Sequence, residues 1–158
     1  MLMLAMTTYR PGDAAATAVQ AGERPMTIEP FAVAPIATKI HLVSVLVAAV
    51  LGAGMFVTPK GTPAHRAAGR TYMASMVAAA LSSFFIVTKD PVVGPFGVIH
   101  GLSVIVLLMV TAAIWSARAG NIRAHRRFVI GLYVGAILGA GAGALVPGRM
   151  ISRILGYA

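Results

Sequence analysis

The stretch His41–Tyr72, HLVSVLVAAVLGAGMFVTPKGTPAHRAAGRTY, and its echo His100–Tyr133, HGLSVIVLLMVTAAIWSARAGNIRAHRRFVIGLY, decide the fold. Each begins with a histidine at the head of an apolar run and closes beyond a basic Ala-His-Arg turn. A shift of 59 residues, from 41 to 100, lays His41 on His100, Ser44 on Ser103, Val45 on Val104 and Gly61 on Gly120. One further residue brings Ala64-His65-Arg66 onto Ala124-His125-Arg126, and one more brings Tyr72 onto Tyr133. Apolar residues match by chance in any hydrophobic chain, but paired histidines, glycines, basic triplets and tyrosines in one order do not. The pattern reads as a duplicated two-helix unit.

Outward from these stretches, composition sets the solvent. The 158 residues are 58% hydrophobic with a mean hydropathy of +0.85, against about 45–50% apolar, glycine included, in soluble domains. Only Asp90 of the four acids falls after residue 29, and the bases cluster between apolar runs. A net charge of +9 therefore reads as loop arginines that set membrane topology. Nucleic-acid binding would need a solvated basic face with aromatic stacking platforms. Cysteine is absent, which removes disulfides, thiol catalysis and thiolate metal sites.

Residues 1–35 mix Thr, Ala, Gly and Pro with Arg10, Asp13, Glu23, Arg24 and Glu29 and read as a polar tail, leaving 36–158 as the membrane domain. Met1–Met6 is too short for the apolar core of a signal peptide and has no basic lead. Four spans are expected, at about 40–58, 71–88, 95–117 and 128–146, each near the ~20 residues that cross a ~30 Å hydrocarbon core. The fold class is thus an all-α integral membrane protein, a four-helix bundle of two hairpins. Ala74, Ala78 and Ser82 repeat every four residues in span two, and Gly131, Gly135, Gly139 and Gly143 do so in span four. Such stripes let helices approach closely, and the glycine stripe is expected to form the tightest helix contact. Lys60, Arg66 and Arg70 occupy the first loop and Arg118, Arg123, Arg126 and Arg127 the third, whereas Lys89 and Asp90 cancel in the middle turn. The basic loops are therefore expected in the cytoplasm and both termini outside, in the periplasm of a Gram-negative cell. The two hairpins would then form a parallel repeat.

The strings HRAAGRTY at His65–Tyr72, GPFGVIHGLS at Gly94–Ser103, and GNIRAHRRFVIGLY at Gly120–Tyr133 followed by Pro147-Gly148-Arg149 resemble a bacterial family of predicted four-span membrane proteins of unknown function. The resemblance covers roughly residues 38–149. It implies a fold and a membrane address, and it lends no residue a role.

Four histidines are the candidates for chemistry. His41 and His100 are expected near the outer ends of spans one and three, placed to act as axial ligands of a b-type haem. The alternative is imidazoles at the interface bonding water, headgroups or carbonyls. His65, Arg66, Arg70, Arg123, His125, Arg126 and Arg127 form a cationic cluster suited to anionic lipid or a partner's acidic surface. No acid or thiol accompanies the histidines, so a zinc site is not expected. Ser44 and Ser103 follow His41 and His100 by three residues, yet backbone-bonded serine explains them more simply than a hydrolytic dyad. No span carries a carboxylate, so acid–base catalysis and proton relays lack their groups. The expected function is a non-catalytic membrane subunit that scaffolds a larger inner-membrane complex, respiratory or photosynthetic, with lipids and other subunits as partners and no cofactor. A haem-bearing electron carrier and a bundle binding anionic lipid or a small ligand are the alternatives.

Overall fold

The computed structural model describes residues 26–86, 92, 94 and 96–156. Among them the regular elements are all helical: α1 Glu29–Ala32, α2 Ile36–Val57, α3 Pro63–Ser83, α4 Val98–Arg118, α5 Ile122–Ala144 and α6 Met150–Ile154. Within α5, Leu132–Gly139 is wound as a π-helix. The chain divides into two compact units. In the terminal unit, which takes in Met1–Val33 and Ala144–Ala158, α1 packs on α6 and the Thr27 N–H donates to the Ile154 carbonyl at 3.2 Å. The described end of the expected tail, from Met26 onward, is thus partly helical and packed. The first 25 residues, including Met1–Met6, lie outside the described residues.

The larger unit, Ala34–Gly143, is built on the two basic turns. Gly61 and Gly120 both take positive φ, 79° and 73°, which glycine adopts without steric cost. Each is followed at once by an N-cap: the Thr62 hydroxyl accepts from the His65 N–H at 3.1 Å, and the Asn121 side-chain oxygen accepts from the Ala124 N–H at 3.1 Å. Each cap satisfies one orphan donor of the helix that follows. Pro63, at the first position of α3, has no N–H to orphan. At the other side of the first turn Pro59 cannot continue α2, and the Lys60 ammonium donates to the carbonyls of Met55, Phe56 and Thr58 at 2.6, 3.0 and 2.8 Å. The loop lysine therefore closes the C-terminus of α2, where its charge also meets the negative end of the helix dipole.

Each long helix packs on the next, and the π-helical part of α5 packs on α2 and α4. Bonds between opposite helix ends make neighbours antiparallel: His41 near the start of α2 with Ala79 near the end of α3, Ser83 ending α3 with Ser103 near the start of α4, and His125 near the start of α5 with Ala113 of α4. The core gathers on α3, which buries Tyr72, Met73, Met76, Ala79, Ala80, Ser82 and Ser83. By contrast α2 buries only Ala48, Gly52 and Met55 and leaves Val43, Leu46, Val50 and Val57 exposed. The most polar long helix is central and the apolar ones face outward, the arrangement a lipid solvent favours.

Among the described residues, three helices are long and apolar enough to cross a membrane: α2, α4 and α5. The expected span at 71–88 differs in the structure. Its helix starts at Pro63, so Arg66 and Arg70 fall in its first two turns, and it stops at Ser83. The hydroxyls of Ser82 and Ser83 bond back to the carbonyls of Ala79 and Ala80 at 3.1 and 2.7 Å, and Phe84, Phe85 and Ile86 close tight turns onto residues three before them. Serine offers the backbone such local partners in place of further helix. The uncharged part of α3, from 71 to 83, rises only about 20 Å. Val87 and Thr88 lie outside the described residues.

The glycine stripe of α5 also departs from expectation. Only Gly131 meets a neighbour, the Met109 methyl, whereas an added Cβ at Gly135 or Gly143 would meet nothing within 4 Å, and one at Gly139 only the Val134 carbonyl of its own helix. The π-turn is the physical reason. Its i→i+5 bonding is wider than an α-turn, so residues four apart no longer stack on one face. The closest approach is at Gly52 of α2, where an added Cβ would lie 2.5 Å from Tyr133 Cε2 and 3.2 Å from Tyr72 Cε2.

Candidate functional site

The four histidines are held in three ways. His41 is part-buried, and its Nδ1–H donates to the Ala79 carbonyl at 2.8 Å, latching α2 to α3. That bond leaves Nε2 of the neutral ring with its lone pair free. His100 is only 5% exposed. Its Nδ1 accepts the Gly97 N–H at 3.0 Å, capping α4, and its ring packs 5.1 Å from Phe96 edge-on and 5.8 Å from Phe84. In the neutral ring the proton must then sit on Nε2. The pair expected to share a haem therefore carries opposite tautomers, and only His41 offers an Nε2 lone pair of the kind an axial ligand needs.

Ser103 donates to the Ile99 carbonyl at 2.9 Å and shares a short buried contact with the Ser83 hydroxyl. Ser83 in turn reaches the Ala80 carbonyl. Two protons cannot serve all three contacts at once, so a hydroxyl that donates to the other gives up its own carbonyl. His100 Nδ1 is itself taken by the Gly97 N–H.

The sequence-expected cationic residues do come together. His65, Arg66 and Arg70 start α3, while Arg123, His125, Arg126 and Arg127 start α5, and the antiparallel packing brings these starts to one end of the unit. His125 Nδ1–H donates to the Ala113 carbonyl at 2.9 Å, the counterpart within α4 and α5 of the His41 latch. His65, in the first turn of α3 and ahead of its uncharged stretch, has its Nδ1 buried without a hydrogen-bond partner. Burial pushes its pKa below the usual histidine value, and the Lys60 and His125 charges push the same way. All five arginines of this end, with Arg118 at the close of α4, would number six, and each of them is exposed: Arg66, Arg70, Arg118, Arg123, Arg126 and Arg127. Glu29 is the single acid among the described residues, and no ion pair engages these guanidiniums there.

Two features had no forecast from the sequence. Tyr72 is fully buried with its hydroxyl unpartnered, and Tyr133, its match in the second stretch, lies across Gly52 with its hydroxyl 3.4 Å from the Ala49 carbonyl and its ring edge-on to Phe56 at 5.2 Å. The alignment of Tyr72 with Tyr133 between the two stretches was the available signal. The second is a shallow, open groove of about 610 Å³ whose lining, Thr111, Ile114, Trp115, Arg118 and Ala119, lies on one exposed face of α4 alone. A smaller one of about 240 Å³, lined by Ala112, Trp115, Ser116, Ala119 and Asn121, adjoins it at Trp115 and Ala119. Among the described residues, no group of three or more His, Asp or Glu side chains could hold a metal ion.

Compared with known proteins, the chain matches the model of a family described as predicted membrane protein (DUF2306) over residues 38–155. No curated protein and no solved structure matches it.

Proposed function

The chain belongs to that family of predicted membrane proteins, and from this premise we propose that it is a small non-catalytic integral membrane subunit that stabilises a larger inner-membrane assembly, respiratory or photosynthetic. One observation carries the reading: apart from the Tyr72 hydroxyl and His65 Nδ1, which meet no partner among the described residues, the buried polar side chains of the unit bond its own backbone. His41, His100 and His125, Ser83 and Ser103, and Lys60 each cap a helix or bond a carbonyl. What remains for other molecules is the exposed basic end. In this reading the uncharged part of α3, from residue 71, is the fourth span, with His65, Arg66 and Arg70 ahead of it at the exposed basic end, and the two hairpins form a parallel repeat with basic turns in the cytoplasm and termini in the periplasm. Membrane lipids and other subunits are the partners.

A b-type haem carrier is the second reading, favoured by the His41 Nδ1–H bond to Ala79, the kind of second contact that orients a ligating imidazole. One experiment separates the two. Protein purified in mild detergent is sized, and its reduced-minus-oxidised visible spectrum is recorded. The subunit reading expects a colourless chain within a much larger complex. A sharp haem signal near one per chain, lost in His41→Ala, would replace it.

A further inference from the structure

We propose that the groove on α4 is a binding site for an anionic phospholipid, with the phosphate on Arg118 and an acyl chain laid against Trp115, Ile114 and Thr111. The order of chemistry along α4 matches that of such a lipid. Ile114 and Thr111 point toward the middle of the apolar helix, Trp115 follows, and Arg118 comes last, with about 10 Å of rise between Thr111 and Arg118. The Thr111 hydroxyl donates to the Leu107 carbonyl at 2.9 Å, so it presents little unmet polarity to a chain. Trp115 is 73% exposed, and tryptophan favours the headgroup level.

The polar end of the groove supplies donors. Arg118 is exposed and engages no ion pair among the described residues. Asn121, in the adjoining groove, spends its side-chain oxygen on the Ala124 N–H, which leaves its amide nitrogen to donate. The negative dipole end of α4 opposes a phosphate. That opposition is reduced because the Trp115, Ser116 and Ala117 carbonyls already accept from the Ala119, Asn121 and Gly120 N–H groups, and because the positive start of α5 follows directly. A cation near an anionic headgroup contributes about 1 kcal/mol, which is roughly fivefold in occupancy. This site is separate from the expected cluster at His65 and His125, and it holds whether or not the chain serves a larger assembly.

Trp115 is the single tryptophan of the chain, so it reports its own groove. The full chain is placed in phosphatidylcholine vesicles containing a small equal fraction of either brominated phosphatidylglycerol or brominated phosphatidylcholine, and Trp115 fluorescence is read. The expected result is that the anionic lipid quenches about fivefold more effectively. Arg118→Gln should equalise the two lipids, whereas Arg118→Lys and Arg127→Gln should keep the preference. Equal quenching by both lipids in the unaltered protein would identify ordinary boundary lipid and overturn the proposal. Loss of the preference in Arg127→Gln as complete as in Arg118→Gln would overturn it too, by showing diffuse charge instead of a groove.

Discussion

A tyrosine hydroxyl without a partner costs more than a phenylalanine in the same place. The Tyr72 ring fills the centre of the core, yet its hydroxyl bonds to nothing among the described residues. Leaving such a group buried costs about 1–3 kcal/mol, so Tyr72→Phe should raise the melting temperature in detergent. A clear loss would mean that the hydroxyl has a partner in the membrane. Tyr133→Phe gives up only a long 3.4 Å contact and should lose less than about 1 kcal/mol. His65 supplies the pH dependence. Its folded-state pKa lies below the ordinary value of 6.5, from burial first and then from Lys60 and His125. The sign follows: the stability it contributes is present above the unfolded pKa and is lost as pH falls through the lowered folded one. Melting should therefore drop between pH 7 and pH 5, and His65→Gln should flatten that drop. Arg66, next in the chain, keeps the field positive throughout.

Among the elements, Gly52 and Gly135 make opposite predictions. Gly52→Leu must displace the Tyr133 ring and should cost about 1–3 kcal/mol by overpacking. Gly135→Leu enters open space and should leave melting in detergent nearly unchanged. The sequence alone places Gly135 in the tightest helix contact, because a spacing of four marks one face of a regular α-helix. That reading holds only where the winding is regular, and the π-turn at Leu132–Gly139 breaks it. The turns were more legible. The match of Gly61 with Gly120 placed two glycines that share positive φ and precede N-caps, and the caps themselves follow from Thr62 and Asn121. Lys60 was legible only as a loop charge, since its three carbonyl bonds depend on where α2 stops. Lys60→Met should speed amide exchange in the last turn of α2 and lower stability by about 1–2 kcal/mol.

For the whole molecule, apolar content and basic turns made the helical membrane fold readable, because hydrophobic length and loop charge act locally along the chain. The boundaries of α3 were not, since Ser82 and Ser83 end it through bonds that hydropathy does not register. The tautomers of the histidines were not readable, since they depend on which carbonyl or N–H each ring meets. The absence of cysteine allows α3 to be tested directly, because single cysteines label without background. If α3 spans, cysteines at Thr62 and Asn121 should react with a membrane-impermeant reagent only from the cytoplasmic side and one at Val92 only from the other. Labelling of Thr62 and Val92 from the same side would refute a transmembrane α3.

The π-helical segment is also a store of length. His65 and Tyr72 are 7 residues apart, His125 and Tyr133 are 8, and the wide winding begins at Leu132 beside Tyr133. A helix can hold one residue more than its regular pitch accommodates as a wide turn while the flanking turns keep their register. Such a stored residue is reversible. Deleting one position within Leu132–Gly139 should relax α5 to ordinary winding and yield a shorter, still folded chain, where the same deletion in α2 would rotate every downstream side chain away from its neighbour.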